Sequence, residues 1–139
     1  MRLWHKDLIE VLPRQQLVAQ WRECCLIARN IATRGTPNHI LVNRIMDYPI
    51  EHFWAYTNIV WQELADRGYR IEYDKFGQWF EGIETIPECL TLTRDDIFSD
   101  WHDDRYYWQC YHNLEEKYDC GGIDEQEWQE LCDEVCSRL

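Results

Sequence analysis

Glu23 follows Arg22 in the run Gln15-Gln16-Leu17-Val18-Ala19-Gln20-Trp21-Arg22-Glu23. On a helix, Gln15, Arg22 and Arg29 are seven apart and form one stripe, with Gln16 and Glu23 forming the stripe beside it. A carboxylate flanked by arginines and amides suits a site that steadies a cation or a proton next to an anion. Spacing alone favours the plainer reading, a solvated helix face with one Arg–Glu pair. A second group with chemistry is the α-amine of Met1. The bulky Arg2 that follows blocks removal of the initiator methionine, and an α-amine keeps a neutral, nucleophilic fraction near pH 7. His102, in Trp101-His102-Asp103-Asp104, reads as a surface histidine beside helix-capping aspartates. The seven cysteines, an odd number, read as buried free thiols. Only Cys132 and Cys136 have ligand-like spacing, and no second close pair joins them, so neither metal nor cofactor is expected.

The elements that must position these groups are helical. Apolar residues recur at three- and four-residue steps after Pro13, predicting a helix over 13–32 that Gly35 closes. Cys24 and Cys25 sit on its apolar face as core. Thr36-Pro37 has the form of an N-cap and first helical residue, opening a short helix with Leu41, Val42, Ile45 and Met46 on one face. A helix over 49–67 follows, ended by Arg67-Gly68. Residues 69–100 read as loop with short helical turns, a small two-stranded excursion being the alternative. A helix from Asp104 to Tyr118 places Tyr107, Trp108 and Tyr111 in the core and leaves Tyr106 over to stack on a base. Asp124 and Glu127 form a capping box for a last helix. The expectation is an all-α fold, one compact domain of four to six helices spanning 1–139.

The chain has 139 residues, 45% hydrophobic and 29% charged, which excludes disorder. No apolar run reaches the ~18 residues of a membrane span, and the N-terminus has no signal-peptide core, so no membrane contact and a cytoplasmic protein are expected. The net charge is −12. It divides into a near-neutral, arginine-rich half, 1–70, with nine Lys/Arg against seven Asp/Glu, and an acidic half, 71–139, with five against nineteen. The acidic half is open to a basic protein partner. The N-terminal arginines and Glu23 should border one concave surface, with most of residues 115–136 on another side.

The run Met1-Arg2-Leu3-Trp4, the segment Leu12-Pro13-Arg14-Gln15-Gln16-Leu17 with Trp21-Arg22-Glu23, and the later His39, Val42, Asn43 and Tyr48 resemble the pyrimidine-dimer DNA glycosylase/AP lyase family. These are the small all-α repair enzymes of endonuclease-V type. The helix ending Glu63-Leu64-Ala65-Asp66-Arg67-Gly68-Tyr69 fits as well, and the likeness is concentrated in residues 1–70. The resemblance implies that the Met1 amine attacks the sugar C1′ of a damaged nucleotide, with Glu23 as the catalytic carboxylate of the imine chemistry. It further implies that Arg2 and Arg22 contact phosphate with Gln15 alongside, and that His39 holds the sugar or tunes the amine. The partner would be DNA or a nucleotide-like ligand. The acidic charge favours the alternative, a non-catalytic binding module on the same fold.

Overall fold

Pro13 and Pro49 each stand immediately before a long helix, in extended backbone at the N-cap. Their carbonyls accept the first helical N–H groups, from Leu17 at 2.9 Å and His52 at 3.0 Å. The computed structural model describes residues 1–80 and 92–139. Within these, α1 spans Arg14–Arg34, α2 Ile50–Asp66, α3 Asp74–Gly77, α4 Asp104–Asp119 and α5 Glu125–Arg138. Three 3₁₀ turns, Lys6–Val11, Asn43–Asp47 and Arg94–Asp96, join them, and no strand is present among the described residues. The fold is all-α, and both long helices lie within two residues of their expected bounds. The 3₁₀ turn Lys6–Val11 carries no periodic signal long enough to announce itself.

Helix α2 is the centre. Phe53, Trp54, Ala55, Tyr56 and Thr57 are all buried, so it is covered nearly all round. On one side α1 packs against it through a face that includes Leu17, Trp21, Cys24, Ile27 and Ala28. On another lies the N-terminal strap, with Leu3, Leu8, Ile9 and Leu12 fully buried. The strap is tied to later parts of the chain. Lys6 Nζ donates to the carbonyls of Asp95 and Ile97, at 3.1 and 2.6 Å, and Arg94 donates to the Lys6 carbonyl at 2.8 Å. Helix α5 packs on the far side of the Lys6–Val11 turn.

Several local expectations change. Gly35 does close α1, at φ +73° with its N–H bonded to Ile31 O. No helix begins at Pro37, however: residues 38–42 form turns, with Asn38 at φ +60°, before the Asn43–Asp47 turn. The Thr36 hydroxyl caps a bend, accepting from Asn38 N at 3.1 Å, and five residues suffice only for a 3₁₀ turn. Asp124 caps α5 by accepting from Glu127 N at 2.9 Å. The Glu127 carboxylate does not complete the box but accepts from Arg14 N, satisfying an orphan donor at the N-terminus of α1. Of the described cysteines, Cys24 and Cys110 are buried, whereas Cys120, the C-cap of α4, and Cys136, on α5, are exposed. All six described thiols are free, and Cys89 lies outside the described residues. Part of the 69–100 reading also falls on 81–91, outside them.

Candidate active site at the N-terminal strap

Gln20 lies on the core face of α1, fully buried. A primary amide there needs partners. Its Nε2 donates to the Arg2 carbonyl at 3.0 Å and to Glu23 Oε2 at 3.3 Å, and its Oε1 accepts from Trp4 N at 2.8 Å. Tyr56, fully buried on α2, donates from its hydroxyl to the Trp4 carbonyl at 2.6 Å and lies 3.1 Å from Gln20 Oε1. Two helices thereby grip the backbone of residues 2–4. Tyr106 of α4 donates to the Leu3 carbonyl from the other side.

The grip sets the chain's first residue beside Glu23. The carboxylate faces the α-amine of Met1 and the backbone N–H of Arg2. Among the described residues no ion pair closes between amine and carboxylate. Burial pushes the Glu23 carboxyl above the ordinary range; the amine, the Arg2 N–H, His39 and Lys117 pull the other way, in that order of size. A half-buried carboxylate tuned upward next to an amine can accept a proton and return it.

His39 reaches this neighbourhood from the turn after α1. Its Nδ1 accepts from Leu41 N at 3.2 Å, which places the ring proton on Nε2. Arg2 lines a cleft of about 590 Å³ whose far wall is α4, with Arg105, Tyr106, Gln109, His112 and Asn113, and whose rim carries Leu41. The structure thus gathers Met1, Arg2, Glu23 and His39. It does not bring Arg22 and Gln15 into that group. Both are exposed on the neighbouring stripe of α1, and Arg22 lines a separate cleft of about 500 Å³ with Trp21, Arg70 and Lys75. None of Glu125, Glu127 and Glu134 lines the Arg2 cleft. Glu134 faces Asp7 and Glu10 in a third cleft.

Sequence reasoning missed Gln20, Tyr56, Asn113 and Lys117. The signal for Gln20 was present, an amide on an apolar stripe between Leu17 and Cys24. The signal for α4 was a polar stripe, Arg105, Gln109, His112, Asn113 and Lys117, at helical spacing. Two other expectations are corrected. His102 is buried rather than on the surface, 4% exposed, with its ring 5.1 Å from that of His5. Its Nδ1 accepts from Lys6 N at 3.0 Å, so the ring serves the strap. The Tyr106 hydroxyl is spent on Leu3, while its ring lines the Arg2 cleft. Trp108 and Tyr111 are half-buried rather than core, Tyr111 stacking on Trp128.

Tyr56→Phe tests the grip. It removes the hydroxyl that satisfies the Trp4 carbonyl without opening a cavity, so the expected loss is about 1–3 kcal/mol in urea unfolding. A loss under about 0.5 kcal/mol would mean that the strap is held by apolar packing alone.

Taken together, the Met1 amine lies near a half-buried carboxylate whose pKa burial raises, on an all-helical scaffold with Arg2 in the adjoining cleft. A family model of the pyrimidine dimer DNA glycosylases matches residues 1–76, over half of the chain, and the chain belongs to that family. No curated protein and no solved structure matches it.

Proposed function

We propose that this chain is a DNA N-glycosylase and AP lyase that uses the Met1 amine as nucleophile and Glu23 as proton carrier, all of residues 1–139 working as one unit. The observation that carries the reading is the strap hydrogen-bonded through Gln20, which sets the Met1 amine near a half-buried carboxylate without closing an ion pair.

The chemistry follows from those two groups. The neutral amine attacks C1′, and the C1′–N bond to the base breaks with its electron pair leaving on the base. Glu23 takes the proton that the amine sheds and hands it to the sugar ring oxygen as the ring opens to the iminium. The iminium then withdraws electrons from C2′. Loss of a C2′ proton expels the 3′ phosphate oxygen, and the strand breaks by β-elimination. Arg2 sits where it can bind the flanking phosphate, bidentate as guanidinium allows. Arg22, with Gln15 beside it, would meet the backbone further along, and His39 the sugar. DNA is the partner in this reading. The net charge of −12 is the observation on the other side, favouring a module that holds a nucleotide-like ligand or a basic protein without reacting.

Incubation with duplex DNA bearing an abasic site, in the presence of borohydride, separates the two. The glycosylase/lyase reading expects a covalent adduct, mapped by mass spectrometry to the α-nitrogen of Met1. Absence of an adduct on single- and double-stranded abasic DNA alike would leave the binding module.

A further inference from the structure

The turn after α1 exposes two large aliphatic side chains side by side, Ile40 at 85% and Leu41 at 50%. The turn that presents them is stiff. Asn43 Oδ1 accepts from His39 N at 3.0 Å, the His39 carbonyl accepts from Val42 N at 3.0 Å, and the His39 ring accepts from Leu41 N. Val42 and Ile45, fully buried, anchor it to the core. Single exposed aliphatics are ordinary on a protein surface. A rigid pair held outward, flanked by Arg2, Arg44 and Arg105 with Asp103 as the one carboxylate lining the clefts, is not.

Leu41 stands between two clefts along α4 and lines both, as do Arg105, Tyr106 and Gln109. Arg2 lies in one of them and Arg44 in the other, the latter 5.8 Å over the face of Trp101. Arg2, Arg44 and Arg105 form no ion pair among the described residues. The ridge is also electrostatically linked to the candidate site, since His39, the residue before Ile40, acts on the Glu23 carboxylate.

We propose that Ile40 and Leu41 form a wedge that enters a base step of duplex DNA beside the damaged nucleotide, while Arg44 and Arg105 hold the phosphates on either side. The inference rests on the glycosylase reading. Its occupant is set by charge complementarity, because guanidiniums without a carboxylate partner around an apolar tip suit a polyanion whose base steps are the one apolar surface it can offer. The task fits the site, because C1′ of a stacked nucleotide is screened by its neighbours. Opening the adjacent step gives the amine its approach.

The test uses the full chain and a duplex with a tetrahydrofuran abasic analogue, which has no carbonyl and forms no imine, flanked by 2-aminopurine. Wild-type protein at saturation should raise the 2-aminopurine fluorescence as the step unstacks. The double variant Ile40→Ser/Leu41→Ser should lose about tenfold of that rise, whereas Leu41→Met, which keeps the bulk, should retain it. Both positions are exposed, so the fold is unaffected, as circular dichroism would verify. The wedge is overturned if the wild type leaves the fluorescence unchanged or if the double variant matches it. It is also overturned if sedimentation shows that the ridge pairs two copies of the chain. Borohydride trapping on true abasic DNA fails or succeeds independently. A fluorescence rise without an adduct keeps the wedge and removes the Met1 chemistry, and an adduct with unchanged fluorescence does the reverse.

Discussion

Glu23→Gln is expected to reduce formation of the borohydride adduct by about 10²–10⁴-fold, the usual worth of a positioned proton carrier. Glutamine keeps an oxygen for the Gln20 and Arg2 N–H donors, so geometry survives while proton transfer does not. The same variant should be at least as stable as the wild type at pH 7. Burial raises the Glu23 carboxyl in the folded chain above its unfolded value. A carboxyl shifted in that direction contributes stability below its unfolded pKa, and the contribution is lost as pH rises through the folded value. At neutral pH the carboxylate is therefore held at some cost, which a neutral amide relieves. Adduct rates and thermal midpoints of the two proteins check both halves. A Glu23→Gln protein that trapped within threefold of the wild type would exclude Glu23 as the carrier. Extending the N-terminus by a tag should abolish trapping as completely, with the fold intact.

The second large effect is acid lability centred on His5 and His102. Both rings are buried, and each Nδ1 accepts a backbone N–H, from Asp7 for His5 and from Lys6 for His102. The His102 Nε2 is buried without a partner among the described residues, and the His5 ring adjoins the His102 backbone. Burial lowers the His5 imidazole from 6.5 to about 4, against the raising influence of Asp7, and lowers His102 well below 6.5. Groups depressed in this way contribute stability that is complete above about pH 6.5 and lost as pH falls toward 4. The unfolded chain takes up protons that the folded one refuses. For His5 alone the separation corresponds to about 3 kcal/mol, at 1.36 kcal/mol per pKa unit. Urea midpoints measured from pH 7.5 down to 4.5 should fall steeply in this window. His5→Asn, whose side chain can still accept from Asp7 N but does not titrate, should flatten the slope whatever it does to the plateau. An unchanged slope would mean that carboxylates elsewhere set the acid limit.

The all-α fold was legible because its long elements are amphipathic and punctuated. Pro13, Gly35, Pro49 and Gly68 bracket α1 and α2, and Asp103 and Asp124 cap α4 and α5 through their side chains. The Thr36-Pro37 start was not a helix, since capping signals are also turn signals when too few apolar residues follow. Glu23 and Met1 were singled out through the family motif alone, as one carboxylate in a helix looks like any other. The pieces between them, Gln20, Tyr56 and the Lys117 side of α4, join residues far apart in sequence, and spacing along the chain holds no record of them. His102 was misjudged for the same reason: its neighbours Asp103 and Asp104 are exposed, but its partner is the backbone of Lys6.

The ties of the strap bear on when in the life of the chain the amine becomes presentable. Leu3 is held by Tyr106, Lys6 by His102 and by the carbonyls of Asp95 and Ile97. These are among the longest loops the chain closes, and loops of that kind form late. During synthesis from the N-terminus, the first residues leave the ribosome long before the residues that hold them. A nascent chain can pair α1 with α2 and begin the grip on residues 2–4, but the ties from His102 and Tyr106 wait until α4 has emerged. The strap is therefore made early and fully tied late, so the candidate site is complete only once α4 is in place.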